Sequence, residues 1–226
     1  INLSLWKNVS TQKHTPGNKT YFNVGLLTHM YDLKGFSFNV LGSKVNHNMS
    51  GLQLSGFVNQ AVSGASGVQL SSITNITARD FSGIGVTGIL NLVTGDSKGI
   101  TIAGLSNITG GSQTGVSLAG LLNMSGERGT GVSFAGIGNI SPVDYYGVML
   151  GGLINVTGQS IRGVQLAGLS NINAIDMHGV QISPFNVTVK GKGLQLGLVN
   201  FYAENFDGLQ LGLVNANPNT RVQWMI

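Results

Sequence analysis

The sequence predicts an all-β chain, a parallel β-solenoid of about twelve coils behind an N-terminal β cap. Three observations predict it. Glycine returns at 35, 51, 67, 83, 99, 115, 131, 147, 163 and 179, nine steps of 16 residues without an insertion, then at 193 and 208. Apolar residues hold fixed places within each step. Only 9% of the 226 residues are charged, against about 25% in an ordinary soluble domain.

Residues 1–34 lie outside the repeat. Ile1, Leu3 and Leu5 alternate with polar residues, and Tyr21 to Leu27 reads as a second strand beyond a loop holding Pro16 and Gly17. This is a hairpin-like cap over the open edge of the stack. Residues 35–215 are the repeat itself. Residues 216–226 read as a C-terminal turn and strand that ends on Trp224, Met225 and Ile226, so the chain is expected to be cut short there or covered by a partner.

Counting each coil from its glycine, position 2 is apolar throughout, from Phe36 and Leu52 to Leu209, and position 4 follows it from Phe38 to Leu211. Position 7 runs from Leu41 and Phe57 to Leu169, and position 10 carries Ile76, Leu92, Ile108 and Met124. Positions 2 and 4 share one side of a strand, but position 7 has the opposite parity. A corner at positions 5 and 6 reconciles them, and position 6 is mostly glycine, for example Gly88, Gly104 and Gly120. The unit is therefore strand, corner, strand and turn. Stacking such units is expected to close the apolar columns into a continuous core.

Position 9 is Asn in eight consecutive coils: Asn59, Asn75, Asn91, Asn107, Asn123, Asn139, Asn155 and Asn171. Asn200 and Asn215 continue the column. Such a column reads as a structural ladder of stacked amides rather than as ligand groups. The glycosylation sequons it creates, such as Asn107-Ile-Thr, are by-products of the repeat.

Composition excludes several classes. Disorder requires low hydrophobicity and high charge, whereas 42% of this chain is hydrophobic. Glycine does not recur every third residue, which excludes collagen. Without Cys there are no disulfides, no thiolate zinc sites and no Cys nucleophile. The net charge is +4, but five of the 12 basic residues (Lys7, Lys13, Lys19, Lys34, Lys44) precede residue 45 and no basic stripe forms, so nucleic acid is not an expected partner. No apolar run approaches the roughly 18 residues of a membrane helix. The chain starts at Ile1 with neither an initiator Met nor a signal peptide, as a processed or trimmed chain would.

Chemistry is sparse. Charges in coils 51–178 fall at positions 13 to 16, as a solvated turn edge produces. Asp80 and Asp96, flanked by Arg79 and Lys98, are the nearest approach to the acid clusters of pectinolytic β-helices, and read more simply as rim ion pairs. Gly83-Ile-Gly85-Val-Thr-Gly88 matches G-x-G-x-x-G, but no helix follows and the glycines are positions 1, 3 and 6 of the repeat. There is no G-x-S-x-G elbow, P-loop or H-E-x-x-H motif, and the four His are scattered. Asp80, Asp96, Asp144 and Asp176 share position 14 but lack the glycine pattern of a calcium nonapeptide. No catalytic residue, cofactor or metal site is predicted.

The segment Gly163-Val-Gln-Leu-Ala-Gly-Leu-Ser-Asn171 and the twice-used Gly-Leu-Gln-Leu-Gly-Leu-Val-Asn (193–200 and 208–215) resemble the surface repeat-containing proteins of Bacteroidetes and spirochaetes. The resemblance covers nearly the whole chain, including the opening Ile1 to Trp6 and Asn215 to Asn219. It implies an exported protein of the envelope or surface of a Gram-negative-type bacterium, without an assigned activity.

The first expected function is thus a non-enzymatic envelope or surface protein that presents a binding or structural face, to another envelope protein or a surface polysaccharide. The alternative is a carbohydrate-active β-helix enzyme. Ice binding would need a flat Thr array, and Val93 and Ala61 interrupt the only candidate column. An antiparallel outer-membrane-type β-barrel is the alternative fold. It is favoured by position 8, where Thr74, Leu90, Ser106, Leu122, Gly138, Ile154 and Ser170 alternate with a 32-residue period, and opposed by the parity break and the missing aromatic girdles. Membrane insertion is accordingly disfavoured but left open. Finally, position 15 becomes Tyr145, Ile161 and Met177 in successive coils, with Tyr146 alongside, and is expected to form either an exposed interaction ridge or an enlargement of the core.

Overall fold

A computed structural model describes residues 1–6, 9–12 and 15–216. Apart from Ala216, the expected C-terminal turn and strand lies outside the described residues. The chain divides into two compact units, Ile1–Gly111 and Ser112–Ile226.

In the first unit, β1 (Asn2–Trp6) pairs antiparallel with β2 (Val9–Ser10). It also pairs in parallel with β3 (Lys19–Met30), which in turn stacks in parallel on β4 (Asp32–Val45) with two register shifts. The cap region is therefore a small hairpin followed by an irregular coil. β4 spans a whole coil as one strand, and from Asn48 to Asn173 each coil contributes two strands, as in Asn48–Ser55 and Val58–Ala61. Each strand pairs in parallel with its equivalent one coil away, with Gly51 opposite Gly67 and Asn59 opposite Asn75.

The second unit repeats the arrangement. The long strands Gly129–Ala135 and Tyr145–Gly151 align Val132 with Val148, and the short strands Gly138–Ser141 and Ile154–Thr157 align Asn139 with Asn155. Beyond Gly179 the coils shorten, and Phe185–Leu196 runs as one strand that meets both strands of the preceding coil. Parallel stacking with a 16-residue period makes the fold a β-solenoid of about twelve coils and rules out the antiparallel barrel.

The winding differs from expectation at the glycines. Left-handed backbone occurs at position 1, where φ runs from +116° at Gly131 to +149° at Gly208, and not at position 6. Where position 6 is glycine, although Ser72 fills the same place in one coil, its role is clearance instead. A Cβ on Gly104 would lie 2.0 Å from the carbonyl oxygen of Gly88 on the coil below.

Which side faces inward also differs, and this is the larger correction. The buried positions are 3, 5, 9, 11 and 15, as in Ser117, Ala119, Asn123, Ser125 and Gly129. The apolar columns at positions 2, 4, 7 and 10 face out, with Phe57 at 48%, Leu121 at 41% and Leu153 at 50% exposure. Parity grouped these residues correctly but is silent on which group is inside. Asn and Gln need a hydrogen-bonding partner in a dry interior, and stacking supplies an identical amide about 4.8 Å away. A Leu on the outside is partly shielded by the Leu above and below it, so its exposure costs less than unpaired amides would.

Apart from Ala103, Ala119 and Ala135, the buried apolar residues fall in two small clusters. Met30, Leu33, Val45, Met49, Ala65, Phe81 and neighbours form one in the first unit. In the second, Tyr145, Met149, Ile161 and Met177 pack together with Phe206 against them. The ridge considered at position 15 is thus not exposed: Tyr145, Ile161 and Met177 are each at least 98% buried. Position 15 alternates inward with positions 3 and 5 and enlarges the core. Tyr146 alone stays at the surface, with the guanidinium carbons of Arg128 and Arg162 at 5.2 and 5.6 Å from its ring centre.

Candidate functional site: a convex aliphatic face

The interior is held by amide ladders. In the second unit, Asn139 Nδ2 donates to Asn155 Oδ1 at 2.8 Å, and Asn155 Nδ2 donates to Asn171 Oδ1 at 3.0 Å. The same Asn155 nitrogen also reaches the carbonyl oxygens of Met149 and Leu166, at 3.2 and 2.7 Å. In the first unit the chain of contacts runs Asn59 to Asn75, Asn91 and Asn107. The predicted ladder is therefore real, and Asn107 and Asn155 are too buried to accept a glycan.

The structure adds members that the repeat count passed over. Asn186 bridges Asn171 to Asn200 across the shortened coils, at 3.1 and 2.9 Å. A second ladder occupies position 3, where Gln181 donates to Gln165 at 2.8 Å, Gln195 to Gln181 at 2.7 Å, and Gln69 to Gln53 at 3.0 Å. The signal was available: position 3 holds Gln in six coils and never a charge.

With the amides inside, each coil turns an aliphatic wedge outward. Positions 2 and 4 form one flank, positions 8 and 10 the other, and position 7 stands at the apex between them. The charged residues of coils 51–178 stand at positions 13, 14 and 16, on the outer turn away from the apex. Position 8 lies where the second flank leaves the apex, and at Gly138 the small residue of its alternation is matched to the large one on the next coil. A Cβ on Gly138 would come within 2.7 Å of Ile154 Cγ1 on the next coil, so Ile154 already fills that space.

The acids of position 14 serve the backbone. Asp80 Oδ1 accepts the Asp96 N–H at 2.9 Å, Asp144 Oδ1 accepts the Ser160 N–H at 3.2 Å, and Asp32 Oδ1 accepts the Asn48 N–H at 3.0 Å. Each thus ties a turn to the coil that follows. Asp32 is also 2.9 Å from His47 Nδ1. Burial pushes its carboxyl pKa up, but the Asn48 N–H, His47 and Lys34 together outweigh burial and hold it below the usual value. Burial pushes the Tyr145 phenol up, against a smaller lowering from its hydrogen bond with Ser133.

Among the described residues, no three His, Cys, Asp or Glu converge on a metal position. A cleft of about 320 Å³ in the first unit is lined by Leu27, His29, Lys44, Val58 and Gln60, and is mostly apolar. His29 Nε2 is engaged with Asn46 Oδ1 at 2.7 Å. No protein-family model matches the chain, and no curated protein or solved structure matches it. Its function must therefore be read from the outer face.

Proposed function

We propose that this chain is a non-enzymatic cell-envelope or surface repeat protein whose outward face is its working part. One observation carries the proposal: hydrogen-bonded amide ladders and two small apolar clusters occupy the interior, while the uncharged aliphatic columns are turned to the surroundings. Soluble folds rarely leave so extended an apolar face without a partner. The resemblance of the Gly-Val-Gln-Leu-Ala-Gly-Leu and Gly-Leu-Gln-Leu-Gly-Leu-Val-Asn units to bacterial surface repeats supports the location. Protease treatment of intact cells tests it, with the chain expected to be cleaved while a cytoplasmic marker survives.

A carbohydrate-active enzyme is the second reading, favoured by Asp80 and Asp96 standing exposed on neighbouring coils. Turnover in a polysaccharide scan, lost on Asp96→Ala with the fold intact, would establish it in place of the first. Asp80 Oδ1 is already committed to a backbone N–H, which weighs against it as an acid or base.

A further inference from the structure

In the coils starting at Gly51, Gly67, Gly83 and Gly99 of the first unit, and at Gly115, Gly131, Gly147 and Gly163 of the second, positions 2, 4, 6, 7, 8 and 10 hold no charged residue. Charges such as Arg79, Asp80, Glu127, Arg128 and Arg162 all sit at positions 13, 14 or 16, away from the apex. We propose that the convex aliphatic face of each unit seats in the hydrocarbon layer of a phospholipid bilayer, with the turn edge left in water. This rests on the surface-protein reading above and names its partner.

Three features select hydrocarbon over a protein partner. Apart from Gln60, Ser72, Thr74, Ser106 and Ser170 the flanks of these coils hold no hydrogen-bonding side chain, and strand amides are consumed by coil-to-coil pairing, so entering lipid strands few polar groups. Segregation of every charge in these eight coils to the far edge is the pattern of elements that lie in a membrane interface. The face is also convex, two flanks meeting at apex residues such as Leu121, Ile137 and Leu153, which are 41%, 43% and 50% exposed. In the second unit an apolar groove floored by Gly136, Gly152 and Gly168 runs beside this apex, and a fluid layer fills groove and flanks together without the matched shape a protein partner would need.

The test is flotation of the full 226-residue chain with phosphatidylcholine vesicles, at low salt and in 1 M NaCl. Binding is expected at both, because the face carries no charge and the interaction is not electrostatic. A triple variant, Leu121→Lys, Ile137→Lys and Leu153→Lys, should reduce vesicle partition at least tenfold, with an unchanged far-ultraviolet circular dichroism spectrum. A polar-edge control, Thr130→Lys, should bind like the parent. Should the triple variant lose its spectrum, Leu153→Trp serves instead, and its fluorescence must shift blue and be quenched by brominated lipid. Failure of the parent to float, binding abolished by salt, binding unaffected by a folded triple variant, or Leu153→Trp fluorescence that neither shifts nor is quenched would each overturn the proposal. So would a stable dimer that ignores vesicles. Those results leave the surface-protein reading standing if intact cells still expose the chain, whereas polysaccharide turnover or full protection from protease would remove that reading whatever the vesicles do.

Discussion

Asn155 shows how a single residue supports three coils. Its Nδ2 serves two backbone carbonyls and Asn171, while its Oδ1 receives Asn139. Asn155→Ala should cost about 2–3 kcal/mol, since buried partners on both neighbouring coils lose their bonds. Asn155→Asp should cost more, because a carboxylate would face three oxygens. Chemical denaturation of the two variants checks the order. Asn173 behaves in the opposite way. It is buried at position 11, and neither its Nδ2 nor its Oδ1 has a hydrogen-bond partner. Val93 occupies the same position in another coil. Asn173→Val is therefore expected to raise stability by about 1–2 kcal/mol, visible as a higher unfolding midpoint. Asp32 adds a pH dependence. Its folded pKa lies below the unfolded value of about 3.9, so it stabilises the first unit above that pH and the contribution is lost as pH falls through the folded value. Asp32→Asn should be less stable than the parent at neutral pH, and the difference should shrink below about pH 4.

Within one coil, glycine does two separate jobs. Gly147 has φ +134°, and a Cβ there would lie 2.0 Å from the Gly131 oxygen, so Gly147→Ala combines backbone strain with a collision. A loss of about 3 kcal/mol or more is expected. Gly17 has φ +88° but open space around it, so Gly17→Ala should cost only about 1 kcal/mol. Thermal melts of the pair separate strain from collision. Position 1 was legible as the anchor of the repeat but not as its left-handed residue, because periodicity marks where a glycine recurs and not which torsion it adopts. The corner at position 6 was inferred from parity, and that inference holds; its glycines answer to the spacing between coils, which no single-coil pattern displays.

At the level of the whole stack, interchangeable coils make stability nearly a sum over neighbours. Excising residues 147–162 removes one complete coil and brings Gly163 onto Gly131, since both neighbours present the same register. The shortened chain should keep its β spectrum and lose a few degrees of melting temperature. Excising 148–162 instead leaves one extra residue, which must be expelled as a bulge to keep the later faces, as happens between Thr188 and Lys190. That variant is expected to melt lower than the clean excision, as judged by circular dichroism.

The sequence by itself determined the period, the membership of the apolar columns, the eight-coil Asn ladder and, in coils 51–178, the confinement of charge to one edge. These are properties of spacing, and spacing survives without coordinates. Only the tertiary structure decided that the aliphatic columns point outward and that Tyr145, Ile161 and Met177 point in. Alternation along a strand sorts residues into two sets, and either set could line the coil. The choice rests on what each set meets one coil away: an amide meets an identical amide within hydrogen-bond reach, so the polar set completes itself inside, and the aliphatic set is left to face the surroundings.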